Sequence, residues 1–131
     1  MTWNVDASPD EIAFLMEAGL IYRDARRFDD AAVVFRGVRA LLPKSEVPLV
    51  ALGTLEFERG NLANAVTHYK EALKLNEKSA YAHSHLAEAY LMSNEIEPAR
   101  AHSKLAIQLD ARGEAGRFAR SLSELMDRVP K

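Results

Sequence analysis

Apolar positions recur at helical spacing along this chain, and the pattern itself repeats. Residues 12–45, 46–79 and 80–113 form three blocks of 34 residues that align without a gap. The seventh and eighth places hold Ala18-Gly19, Leu52-Gly53 and Leu86-Ala87. Place 11 holds Tyr22, Glu56 and Tyr90, and place 20 is alanine each time: Ala31, Ala65 and Ala99. Place 24 holds Phe35, Tyr69 and Ser103, and place 27 holds Val38, Ala72 and Ala106. Each block reads as two helices joined by a turn. After Gly113 the pattern changes: Phe118, Leu122, Leu125, Met126 and Val129 keep helical spacing, with Arg117, Arg120, Glu124 and Asp127 between them. That predicts one further helix over 114–129.

Small residues at places 8 and 20 let the two helices of a hairpin approach closely. Gly53 illustrates the trade. A glycine inside a helix costs about 1 kcal/mol against alanine, and close packing of the second helix near Ala65 is expected to offset it. The turns carry their own punctuation. Gly60-Asn61 suits a left-handed C-terminal cap, Ser93-Asn94 is the next-best choice, and Arg26-Arg27 is a poorer one. At the start, Ser8-Pro9-Asp10-Glu11 has a serine cap, a proline in the first turn and a glutamate three residues on, which places the first helix near residues 9–25. Residues 1–7 are expected to form a loose arm, with Trp3 folding back on the bundle.

A 34-residue helix-turn-helix period resembles the tetratricopeptide repeat family. The resemblance covers residues 12–113. Departures stand at place 4, where Leu15, Leu49 and His83 replace tryptophan, and at Glu56 and Ser103. It implies an all-α fold: a right-handed superhelical stack of three helix-turn-helix units with a C-terminal capping helix. The expected organisation is a single domain over 1–131. Residues 1–11 form an arm and helix start, 12–45, 46–79 and 80–113 form the repeats, and 114–131 form the cap. A stack of repeats needs such an element to cover its last apolar face.

In that family the peptide-facing places are 2, 5, 9, 12 and 13 of each unit's first helix, and 2, 5, 9 and 12 form a stripe down one helix face. Carried over, these places are Ala13, Met16, Leu20, Arg23 and Asp24; then Val47, Val50, Thr54, Phe57 and Glu58; then Tyr81, Ser84, Glu88, Leu91 and Met92. The expected peptide-binding set is Met16, Leu20, Arg23, Val47, Val50, Thr54, Phe57, Tyr81, Ser84, Glu88 and Leu91. Phe57 is expected as an exposed aromatic at the centre. The set is mostly apolar, with a few charges towards the far rim. Heat-shock-protein co-chaperones of this fold grip a terminal carboxylate with a cationic clamp. The corresponding places here hold Met16, Leu20, Ala51, Tyr81 and His85, so a carboxylate would lose its water without gaining charged partners. An apolar or amphipathic segment of a partner protein, helical or extended, fits the set better. Small acidic three-repeat proteins with such grooves resemble bacterial type III secretion chaperones. The competing expectation is a self-associating subunit, such as a homodimer, whose groove is closed by another copy.

Composition narrows the rest. The chain has 131 residues, is 48% hydrophobic and 27% charged, and carries a formal charge of −2, with no cysteine. Disulfides and thiolate zinc sites are excluded. Arg23, Arg26, Arg27, Arg36 and Arg39 cluster, but Asp24, Asp29 and Asp30 are interleaved, which reads as a solvated mixed face rather than a nucleic-acid footprint. The first residues lack a basic start followed by an apolar run, and no apolar stretch approaches a membrane span of roughly 18 residues. A cytoplasmic location is expected, with no membrane partner. His83 and His85 are two apart and point away from each other on a helix, so they make a poor metal pair. The histidines are expected on the surface or in the groove. No phosphate loop, nucleophile elbow, metal site or cofactor site appears, and catalysis is not expected.

Overall fold

The 34-residue period becomes three helical hairpins and a seventh helix. The structure, a computed structural model, describes residues 6–129. Helices α1 (Pro9–Asp24) and α2 (Phe28–Leu41) form the first hairpin, α3 (Val47–Glu58) and α4 (Leu62–Leu75) the second, α5 (Ala80–Met92) and α6 (Ile96–Leu109) the third. Helix α7 (Glu114–Asp127) packs on α5 and α6. There is no strand among the described residues, and no helix among them is long and apolar enough to cross a membrane. The return expected of Trp3 lies outside the described residues.

Local signals act where the sequence places them. Ser8 accepts from the Glu11 backbone N–H at 3.2 Å, and Glu11 accepts from the Ser8 N–H at 3.4 Å, closing a capping box before Pro9. The hairpin turns are superimposable in their bonding. Arg26, Gly60 and Asn94, each 34 residues apart, have φ of 61°, 84° and 60°. The next residue's N–H in each turn reaches back to Tyr22, Glu56 or Tyr90 C=O at 2.8 Å, which satisfies carbonyls the helix end leaves open. Glycine takes this left-handed conformation freely, and asparagine tolerates it. Arginine does so against steric cost. The Arg26 guanidinium lies 5.1 Å from the Phe28 ring centroid, and Arg27 lies 5.1 Å from that of Tyr22, so packing over the turn offsets the strain. Arg27 also pairs with Asp30, and Arg59 pairs with Asp29. Within the arginine cluster, Arg26 and Arg27 thus make ring contacts and an ion pair around the first turn, and Arg39 pairs with Glu71 of α4.

The core is the set of repeated small and apolar places. Ala31, Ala65 and Ala99, Val38, Ala72 and Ala106, and Phe35 and Tyr69 are all fully buried. The expectation that Gly53 makes room for Ala65 is corrected. A Cβ on Gly53 would clash with the edge of the Tyr69 ring, and one on Gly19 with that of the Phe35 ring. The missing side chain at place 8 admits the aromatic ring at place 24. Unit 3 uses another solution, with Ala87 at place 8 and the much smaller Ser103 at place 24, both buried.

The expectation of surface or groove histidines is also corrected for His83, which is buried. Place 4 faces the helix stack, where the family's tryptophan would pack. His83 Nε2–H donates to the Glu77 carbonyl at 2.8 Å, which leaves Nδ1 to accept from His102 Nδ1–H at 2.9 Å. Two neutral rings satisfy this network. Burial, then the neighbouring His83, then Lys70, hold the His102 pKa below the ordinary 6.5.

Two stability predictions follow from these contacts. Gly53→Ala is expected to destabilise by about 1–3 kcal/mol through overpacking against Tyr69. The same change at exposed Gly37 in α2, where a Cβ meets nothing, is expected to stabilise by about 1 kcal/mol from propensity alone. Urea midpoints of the two variants should therefore move in opposite directions. For His102, the lowered folded pKa means the unfolded chain takes up the proton first. Its contribution is present above the unfolded value near 6.5 and is lost as pH falls through the lower folded value. The urea midpoint should drop between pH 7.5 and 5 in the wild type, and drop less in His102→Gln.

Candidate binding groove

The first helices of the hairpins, α1, α3 and α5, stand side by side, and α7 closes the far end of their common face. Two recesses open on this face. One, of about 290 Å³, is apolar and is built by Met16 and Leu20 of α1 with Val47, Val50 and Ala51 of α3. The other, of about 400 Å³, lies between α3, α5 and α7. Phe57, Tyr69, His85 and Phe118 wall it, and Glu58, Glu88 and Glu114 edge it. Arg23, Thr54, Tyr81 and His85 line both, so the recesses form one continuous groove.

Ten of the eleven residues proposed from the sequence line this groove: Met16, Leu20, Arg23, Val47, Val50, Thr54, Phe57, Tyr81, Ser84 and Glu88. Leu91 does not. It packs against the cluster of Tyr90, Leu122 and Met126, because α7 lies against α5 where the next repeat would stand. Two others differ from expectation in character. Phe57 is half-buried against the core cluster rather than exposed. Ser84 is fully buried, and its hydroxyl already donates to the Tyr81 carbonyl at 2.9 Å. The most exposed apolar members are Leu20, Val47 and Tyr81.

Several lining residues lay outside that set: Glu46, Ala51, Glu58, Tyr69, Ser79, His85, Glu114, Ala115 and Phe118. Glu58 stands at a peptide-facing place, and Ala51 and His85 stand at the clamp places, so these three were legible. Glu114, Ala115 and Phe118 belong to α7, which has no place in the repeat register. Tyr69 stands at place 24, on the second helix of its hairpin. It reaches the groove only because Gly53 leaves the way open.

Polar contacts shape the groove floor. The Tyr81 hydroxyl donates to Glu114 at 3.0 Å, and that bond, with burial and the Glu114 charge, raises the Tyr81 pKa. Arg23 reaches Thr54 Oγ1 at 3.5 Å and pairs with Asp24 at 3.3 Å. His85 sits between the Tyr69 and Phe118 rings, each centroid 5.7 Å away, with Nδ1 3.8 Å from Glu88. The Tyr69 hydroxyl is buried and has no hydrogen-bond partner among the described residues. Burial first, then Glu88 and Glu58, push its pKa well up. No group of three or more histidine, cysteine, aspartate or glutamate side chains among the described residues is arranged to hold a metal ion.

Residues 53–94 match the family described as TPR repeat. No curated protein matches the chain by sequence. Among solved structures, the type III secretion translocator chaperone SycD of Yersinia enterocolitica is similar, with a TM-score of 0.80 and 20% identity over 93% of this chain and 92% of that one. PcrH of Pseudomonas aeruginosa, in complex with the chaperone-binding region of PopB, is similar at a TM-score of 0.76 and 21% identity, over 91% and 97% of the two chains. The first TPR of Spaghetti, bound to the HSP90 peptide SRMEEVD, is similar at 0.74 and 18% identity, over 95% and 99%. Three helical hairpins of one period, a matching family segment and these neighbours together make the fold that of tetratricopeptide-repeat proteins.

Proposed function

We propose that this protein is a non-catalytic, cytoplasmic adaptor or chaperone that holds an apolar or amphipathic segment of a partner protein in the groove, in the manner of a secretion chaperone. The observation that carries this reading is the open apolar recess of Met16, Leu20, Val47 and Val50 on the inner helices. A side chain seated there gains about 1.5–3 kcal/mol from burial before the cost of association is set against it. The neighbours support the reading, since PcrH is seen with a region of PopB and SycD with a peptide of the translocator YopD. The groove does not suit an acidic peptide such as the one on Spaghetti. Four glutamates, Glu46, Glu58, Glu88 and Glu114, line it against Arg23, and the clamp places hold Met16, Leu20, Ala51, Tyr81 and His85.

A second reading rests on α1. Phe14 and Ile21, two helical turns apart, are 71% and 62% exposed and line neither recess. This stripe suits a second copy of the chain packed on the outside of α1. That arrangement leaves the groove open, unlike a dimer that closes it.

Co-expression with the proteins encoded beside it is the test of the first reading. A soluble complex should form, and Leu20→Glu with Val47→Glu should abolish it at unchanged helix content, since both residues are exposed. A complex that survives both changes rejects the groove. For the second reading, light scattering should find a dimer that Phe14→Glu with Ile21→Glu converts to a monomer. A wild-type monomer at all concentrations rejects it.

A further inference from the structure

Packing alone explains the ring of Tyr69 but not its oxygen. Phe35 fills the equivalent place in unit 1, against Gly19, with no hydroxyl at all. In unit 2 the ring passes Gly53 and lines the recess between α3, α5 and α7, and its hydroxyl is buried and without a hydrogen-bond partner among the described residues. An unpaired buried hydroxyl is destabilising, and native structures retain few of them. Around it stand Glu58, Glu88 and Glu114. The cation lining the recess is Arg23, already paired with Asp24 and bonded to Thr54. At the rim near Tyr81, Arg117 and Asp110 oppose one another. The walls are the faces of Phe57, His85 and Phe118, with His85 Nδ1 also buried and without a hydrogen bond among the described residues.

We propose that this recess is the subsite for a basic side chain of the bound segment, a lysine or arginine close in sequence to the apolar residue seated by Met16 and Leu20. The assignment rests on the groove reading above and names the partner chemistry it selects. An ammonium or guanidinium entering the recess meets carboxylates on its edge and aromatic rings on its walls. The Tyr69 hydroxyl accepts a hydrogen bond from the cation, and its own proton is free for a carboxylate drawn inward. With Glu58 and Glu88 nearby and burial around it, the phenol stays neutral. The shared lining residues join the two recesses, so one short segment fills both. The partner is thus an amphipathic segment that carries positive charge beside its apolar anchor, complementary to an acidic groove.

The probe is a random-peptide phage library panned on the intact protein, with selected peptides synthesised and followed by fluorescence anisotropy. Peptides blocked by Leu20→Glu should be enriched in lysine or arginine next to an aliphatic residue. Changing that basic residue to glutamine should weaken binding by about tenfold. Glu88→Gln with Glu58→Gln, and separately Tyr69→Phe, should weaken the basic peptide severalfold and leave its glutamine version unchanged. Tyr69→Phe keeps the ring that Phe35 already uses in unit 1, so its melting temperature controls for packing. Groove-binding peptides with no basic preference, or a preference that survives the glutamine variants, overturn this assignment and leave the groove reading standing. If no selected peptide responds to Leu20→Glu, both fall.

Discussion

The close approach of a side-chain-free helix position and an aromatic ring holds the first two hairpins together. Gly19 accepts Phe35, and Gly53 accepts Tyr69, with no space left for a methyl group. Interiors packed at this density do not yield a fraction of an ångström cheaply. The contact therefore sets the spacing of the two helices in a hairpin, and through it the angle at which α1, α3 and α5 present their inner faces. The alanines at place 20 complete the approach from the partner helix. Unit 3 keeps the spacing with Ala87 and Ser103, where a methyl replaces a hydrogen and a hydroxymethyl replaces a ring.

The same contact links fold and groove. A ring that passes a glycine emerges on the far side of its helix, so a residue of the outer layer contributes to the inner surface. Tyr69 does this between α3 and α5. Its neighbours there come from four other helices, and α7 supplies both a carboxylate, Glu114, and an aromatic, Phe118. The capping helix is therefore part of the binding surface as well as the end of the stack. By lying on α5 it takes Leu91 into the core and limits the groove to two recesses.

The repeat, the turns and the first helix cap were legible because each depends on residues near in sequence. A left-handed turn at Gly60 or Asn94 and a capping box at Ser8 are decided within a few residues. The groove stripe was legible as far as α1, α3 and α5 keep register. What stayed hidden depends on contacts between helices. Ala65 and Tyr69 stand one helical turn apart on α4, and only the three-dimensional approach shows that the ring, not the alanine, occupies the space at Gly53. The pairing of His83 with His102 spans two helices and replaces a tryptophan with a polar network, which periodicity does not encode. The position of α7, set by where the repeat stops, decided the fate of Leu91.

The stack is also unequal from end to end. Gly19 is the one buried residue of α1, whereas α5 buries seven. Helix α1 leans mainly on α2, and its hairpin closes through an arginine in a left-handed turn. In a molecule whose stability is a sum over neighbours, the first hairpin is then the least firmly held. Yet Met16 and Leu20, half of the apolar recess, sit on that hairpin. Segment capture and the ordering of the first hairpin become one equilibrium: a bound segment acts as the missing neighbour of α1, and some of its intrinsic affinity is spent on keeping that hairpin closed.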